Sequence, residues 1–233
     1  VCAAVTSLSI GNSLWAAGGK ADVQDARLFT YAKATGEIYF ALTLAPKTEA
    51  HRAKQTDVLI LFDTSASQTG VYRDDGLAML NAMLAELGAA AQVKLVAVDV
   101  RPVELTSEFV VVDSDAMGKA VKQLQSRAPL GCTDMALALS HAVETFQADR
   151  KNPARVVYIG DGLSRVNILQ DEELRELVSQ LSTNQISVSS LAIGPQRDLF
   201  FLAALANQTG GNVFVDGNEV SPQQAGAEVA RIA

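Results

Sequence analysis

The sequence predicts, from residue 56 onward, an α/β domain: a doubly wound, mostly parallel six-stranded sheet with one antiparallel edge strand and helices on both faces. Three observations carry that expectation. Short apolar runs alternate with stretches of helical period, the pattern of a parallel sheet covered by helices. One connection, residues 99–107, is too short for a crossover helix, so the strand after it pairs antiparallel with the strand before it. Tracing chain direction through the elements brings three separated polar segments to one end of the sheet, the carboxyl end of the strands, where open α/β sheets place their ligands.

Residues 1–21 are apolar and small, with Val-Cys-Ala-Ala-Val at the start and Leu14-Trp15-Ala16-Ala17-Gly18-Gly19 later. They are expected to be the remnant of a secretory signal peptide, although the basic n-region is missing; an ordinary strand is the alternative. The first reading makes the protein extracytoplasmic or secreted, and the second leaves it cytoplasmic. In residues 22–55, two strand-like runs (28–31 and 38–44) flank Ala34-Thr35-Gly36 and predict a β-hairpin, followed by a polar linker over 45–55.

Residues 56–233 hold the main domain. Its predicted parallel strands are 58–62, 93–98, 155–159, 186–193 and 212–215, and 109–112 is the antiparallel one. Leu77, Leu80, Leu84 and Leu87 share one helical face, as do Met117, Ala120, Val121 and Leu124. Met135, Ala138, Leu139, Ala142, Val143 and Phe146 form the cleanest stripe, Leu174, Leu177, Val178 and Leu181 another, and a last Ala-rich helix covers 220–232. Such stripes belong to the core. A sheet that reverses its winding after the first three strands sets 155–159 beside 58–62, which makes that junction a switch point.

Composition narrows the function. A chain of 233 residues accommodates one α/β domain with an appended segment. The net charge of −7, without a dense Lys/Arg run, argues against nucleic acid and anionic membrane surfaces, and no interior apolar stretch is long enough to insert in a membrane. Cys2, at the terminus, and Cys132, in a short loop, are not expected to form a disulfide, and Cys132 reads as a small, partly buried loop residue. His141 reads as a surface or helix-packing residue and His51 as part of the linker. The glycines form no phosphate-binding loop.

The chemistry lies in Asp63-Thr64-Ser65-Ala66-Ser67, directly after the first strand. A carboxylate and two hydroxyls suit a hard divalent cation. Alternation along an extended segment lets positions 63, 65 and 67 face one centre. Alone, the triplet arises by chance in about 3% of chains of this length, and each residue taken singly reads as a turn or cap residue. Chain direction changes the odds, because Thr133 and Asp161 reach the same end of the sheet. Two carboxylates and three hydroxyls then surround one point, with room for an external ligand.

The Asp63-x-Ser65-x-Ser67 loop, Gly131-Cys132-Thr133 ahead of a helix, and Asp161-Gly162 after a strand resemble, in that order and spacing, the von Willebrand factor type A domain with its metal-ion-dependent adhesion site. The resemblance covers roughly residues 56–232. It implies a Rossmann-like fold and a Mg2+ site (or Mn2+/Ca2+) in which Ser65 and Ser67 ligate directly. Asp63 and Asp161 would act partly through water, and Thr133 would move toward the metal as ligand binds. Ala66 stands where Gly is frequent in the family, and Cys132 is an unusual neighbour for the threonine.

The expected function is a non-enzymatic binding module that captures an exposed Asp or Glu of a protein partner, with Arg73, Arg101, Arg165 and Arg197 as a basic rim. A scaffold or adaptor role in a larger assembly, of the AAA-ATPase or chelatase type, is the alternative. A metal-dependent phosphohydrolase with Asp63 as nucleophile is disfavoured. Ser65 stands where the haloacid dehalogenase type needs its second Asp, and no base is at hand.

Overall fold

The computed structural model describes residues 6–9, 13–16, 19–33, 35–46, 55–88, 91–146, 150–215 and 221–232. The chain divides into two units, Val1–Arg52 and Ala53–Ala233. In the first, β1 (Thr6–Ser9), β2 (Ser13–Ala16) and β4 (Ile38–Pro46) all pair antiparallel with the long β3 (Gly19–Ala32). The predicted hairpin is β3–β4, longer at both ends than its apolar runs. Gly36 closes the turn at φ +88°, and its N–H donates to Lys33 O at 3.0 Å. β1, β2 and the start of β3 occupy the stretch compared with a signal remnant. Ala45 and Pro46, assigned to the linker, are strand residues; Cys2, His51 and the rest of the linker to residue 54 lie outside the described residues.

In the second unit the elements run β5 (Thr56–Asp63), α1 (Val71–Leu87), β6 (Ala91–Val98), β7 (Pro102–Glu104), β8 (Val110–Val111), α2 (Asp115–Ser126), α3 (Met135–Phe146) and β9 (Ala154–Gly160). There follow α4 (Asp171–Thr183), β10 (Ile186–Ala192), α5 (Leu199–Thr209), β11 (Val213–Val215) and α6 (Pro222–Ile232). The sheet order is β11-β10-β9-β5-β6-β7, with β8 also on β6. β5, β6, β9, β10 and β11 are parallel, while β7 and β8 run antiparallel to β6. The 155–159 strand therefore lies beside the 58–62 strand, as expected of a sheet that reverses its winding after the first three strands.

β5 is apolar at every position from Val58 to Phe62 because both faces of a parallel sheet are covered. Val58, Ile60 and Phe62 pack with Met79, Leu80 and Met83 of α1, Leu124 of α2 and Val229 of α6. Leu59 and Leu61 face the other way, toward Met135, Leu139 and Val143 of α3, Leu181 of α4 and Leu205 of α5. These are the two layers of a doubly wound fold, and Asp63 continues the second.

Two elements differ from expectation. The antiparallel edge is two short strands, not one. Leu105 N and Thr106 N both point to Leu95 O (2.9 and 3.3 Å), and Thr106 Oγ1 accepts from Leu95 N at 3.0 Å, so two edge residues oppose one and the ladder breaks there as at a bulge. Pro102–Glu104 thus pairs within the connection read as a loop. Helix α5 was not foreseen, because Leu-Phe-Phe-Leu-Ala-Ala-Leu is apolar nearly all round and shows no clear stripe.

α6 starts on Pro222 behind a capping box: Gln224 N donates to Ser221 Oγ (3.3 Å) and Ser221 N to Gln224 Oε1 (3.0 Å). It crosses α1 closely through Gly226, where a Cβ would lie 2.2 Å from Met79 O. Gly118 of α2 faces open space. Gly226→Ala is therefore expected to cost about 1–3 kcal/mol through overpacking, and Gly118→Ala to gain about 0.5–1 kcal/mol from helix propensity; urea unfolding of the two variants reads the opposite signs.

Candidate metal centre

Asp63 ends β5 fully buried, and its neighbourhood is built by short-range hydrogen bonds. Its Oδ1 accepts from Ser65 N at 2.8 Å, a side-chain turn of the type Asp forms two residues on. Gln68 N donates to Ser65 O at 3.0 Å and folds the segment over. The Ser65 and Ser67 hydroxyls come to 3.0 Å of each other, and Ser67 Oγ donates to Asp161 Oδ2 at 2.6 Å. The hydroxyls converge because the chain turns; the extended alternation expected for positions 63, 65 and 67 is not what aligns them.

Thr133 arrives on the connection between α2 and α3, which is strapped to the Asp63 turn. Leu130 N donates to Thr64 O and Ala66 N to Gly131 O, both at 3.0 Å. Gly131 sits at φ +74°, and a Cβ there would press on Val100 at 3.0 Å. Thr133 Oγ1 then lies 2.9 and 3.0 Å from the two Asp63 oxygens. Asp161 follows β9 and repeats the Asp63 turn, its Oδ1 accepting from Leu163 N at 2.9 Å. All five predicted residues meet at the junction of β5 and β9.

Sequence reasoning missed Tyr158. Its hydroxyl donates to Asp63 Oδ2 at 2.8 Å and accepts from Gly162 N at 3.1 Å, so one buried phenol joins the two aspartate loops. The available signal was a polar-tipped residue in the otherwise aliphatic run 156–159. Beside it Gly160 leaves the space the pair needs, since a Cβ would lie 2.5 Å from both Asp63 Cβ and Tyr158 Oη. A second layer was missed as well: Arg127 Nη2 pairs with Asp99 Oδ2 at 2.6 Å, and Thr64 Oγ1 bridges to both residues.

Arg73 is not on a rim. Its guanidinium lies over the Phe62 ring at 5.1 Å, and Nη2 donates to Leu124 O and Arg127 O, because the open carbonyls at the end of α2 attract a cation. Arg101, Arg165 and Arg197 are exposed, and Arg165 is anchored by its N–H to Thr133 O (3.1 Å). Cys132 is a free, exposed thiol and not the partly buried residue expected, because the strap turns inward only after it, at Thr133 and Asp134. His141 is half-buried on α3, 3.5 Å from Glu104 Oε1, away from the centre.

Electrostatically the centre is short of positive charge. No Lys or Arg among the described residues forms an ion pair with Asp63 or Asp161. Burial pushes the Asp63 carboxyl up to about 6 and the facing Asp161 adds to it, against the hydrogen bonds from Ser65 and Tyr158. Burial, then Asp63 and Asp161, raise the Tyr158 phenol well above 10. No three His, Cys, Asp or Glu side chains cluster among the described residues, so the donor set is two carboxylates and three hydroxyls. All-oxygen donors on two uncompensated carboxylates fit a hard divalent cation.

A family model described as von Willebrand factor type A domain matches residues 56–214. The fold is similar to that of a von Willebrand factor type A protein from Catenulispora acidiphila (TM-score 0.67, 15% identity, 99% of this chain and 49% of that one). It is similar also to the manganese-loaded TRAP protein of Plasmodium vivax (TM-score 0.55, 19% identity, 66% and 63%). A third is proximal thread matrix protein 1 from the mussel byssus, with a zinc-occupied MIDAS motif (TM-score 0.58, 15% identity, 77% and 46%). This chain spans about half the length of the first, and at these identities the likeness is one of fold. No curated protein matches the sequence.

The raised Asp63 value fixes a sign. The folded carboxyl titrates near 6 and the unfolded one near 3.8, so below pH 4 the burial of Asp63 costs nothing. As pH rises through 6 the folded state must carry the charge, and metal-free stability is lost. Asp63→Asn escapes that cost: in EDTA its unfolding free energy relative to wild type is expected to shift by about 2 kcal/mol in the variant's favour between pH 4 and pH 7, measured by urea denaturation at each pH.

Proposed function

The chain belongs to the von Willebrand factor type A domain family, and on that premise we propose that it is a non-enzymatic binding module. Asp63, Ser65, Ser67, Thr133 and Asp161 hold a divalent cation, Mg2+ by donor hardness with Mn2+ or Ca2+ able to replace it, and an acidic side chain of a protein partner is captured there. The observation that carries this reading is the pair of buried carboxylates, bonded to the hydroxyls of Ser67, Thr133 and Tyr158 and paired with no Lys or Arg among the described residues. The similar folds support it, since TRAP is manganese-loaded and the byssus protein carries zinc in its MIDAS motif.

When bound, the cation supplies a Lewis-acidic position for an external carboxylate. The chain's own residues prepare for it. Ser65 N and Leu163 N hold one oxygen of each aspartate, and Tyr158 holds the second oxygen of Asp63. Ser67 and Thr133 can turn their hydroxyl protons outward once their oxygens are needed as ligands. With two formal charges and three neutral hydroxyls, the donor set leaves a divalent ion attractive to an anion. The phenol of Tyr158 is too basic to exist as phenolate at neutral pH, and His141 lies against Glu104, so the reading assigns no general base.

Calorimetric titration with Mg2+, Mn2+ and Ca2+ tests this on wild type and Asp63→Ala. Wild type is expected to bind one ion and to gain about 2.7 kcal/mol of stability at a hundred times the dissociation constant, while Asp63→Ala binds none. Capture of a protein partner that survives both EDTA and Asp63→Ala would overturn the proposal.

A further inference from the structure

The collar around the centre differs in character from the basic rim read in the sequence. Five large apolar side chains stand exposed on it: Val100, Leu130, Val166, Ile168 and Phe200, the last at 93%. Each stands on a loop held close to the site. Leu130 donates its N–H to Thr64 O, and Val100 touches the position of the Gly131 Cβ. Val166 follows Arg165, whose N–H bonds Thr133 O, and Ser164 Oγ donates to Asn167 O just before Ile168. Phe200 follows Asp198, whose N–H donates to Asp161 O at 2.8 Å. Among the described residues of the second unit, Val111 is the one exposed large apolar side chain at the opposite, amino-terminal end of the strands. Exposure of this kind concentrated at one end marks an interaction surface.

We propose that this collar docks a protein segment in which the captured acidic residue is flanked by aromatic or branched aliphatic side chains. The inference rests on the function proposed above and names the chemistry of the partner. Charge complementarity selects the occupant. Arg101, Arg165 and Arg197 are exposed in the same loops. The carboxylates there are engaged within the fold: Asp99 with Arg127, Asp134 with Leu137 N and Asp198 with Phe201 N. Asp171, Glu172 and Glu173 open α4 beyond Ile168 and bound the collar on that side, since an acidic partner is repelled there. An anion at the centre with apolar neighbours on Leu130 and Phe200 satisfies all of these features.

The test is a display library of short linear peptides with a fixed central Glu and random flanks. It is selected on the immobilised 233-residue chain in millimolar Mg2+ and eluted with EDTA. The eluted peptides are expected to be enriched in Phe, Tyr, Leu and Ile beside the Glu. The consensus peptide, measured by fluorescence anisotropy, is expected to bind Phe200→Ser and Leu130→Ser about tenfold more weakly each, with Mg2+ binding by calorimetry unchanged. EDTA-eluted peptides with no apolar preference, or with affinities indifferent to both substitutions, overturn this inference and leave metal-dependent capture standing. Apolar-flanked peptides that stay bound in EDTA, or no selectable peptide while Mg2+ still binds, overturn both. A concentration-dependent dimer in sedimentation that Phe200→Ser abolishes also overturns it, in favour of a second copy of this chain on the collar.

Discussion

Two carboxylates buried at the ends of adjacent parallel strands are the constraint around which the second unit is arranged. Asp63 and Asp161 repel each other in a low-dielectric setting, and burying an unpaired carboxylate is costly unless hydrogen bonds or a cation answer it. The local structure answers in part. Each aspartate folds the chain back so that a backbone N–H two residues on meets its Oδ1, and Ser67, Thr133 and Tyr158 take up the remaining oxygens. What these donors leave uncompensated is charge, seen in the raised Asp63 carboxyl.

The scaffold explains how that deficit is tolerated. β5 and β9 are buried on both faces and anchored between two helical layers, so the strand ends cannot separate to relieve the repulsion. Outside them the Thr64–Asp99–Arg127 network ties the Asp63 turn to the end of β6 and to the exit of α2. The strap that carries Thr133 is thereby held at both ends. Asp63 closes a strand and the other four residues of the centre sit on short turns pinned to it by hydrogen bonds, so loops carry the site on a rigid sheet.

Three of the four arginines expected around the site stay at the surface, and Arg73 is drawn inside by the carbonyls of α2. The loops expose apolar side chains beside those cations. Helix α5 illustrates the same point, since its capping residue Asp198 holds Asp161 O through its N–H while Phe200 projects outward. An apolar residue in a loop looks like core in one dimension, and whether it packs inward or outward is settled by the neighbours the fold brings to it.

The sequence by itself determined the class of fold, the strand order at β9–β5–β6 and the arrival of Asp63, Thr133 and Asp161 at one end of the sheet, because local periodicity and the direction of each element are properties of the chain alone. Parity of direction needs no side-chain contact, which is why Thr133 and Asp161 could be brought to Asp63 across 70 and 98 positions of sequence. The tertiary structure decided what depends on close approach between distant segments. It closed the Asp63 turn, placed the Tyr158 hydroxyl between two loops, buried Arg73 and split the edge strand where Thr106 meets Leu95. Hydrogen bonds of about 3 Å between residues far apart in the chain leave no periodic trace in it. They appear only when the sheet has set the strand ends side by side.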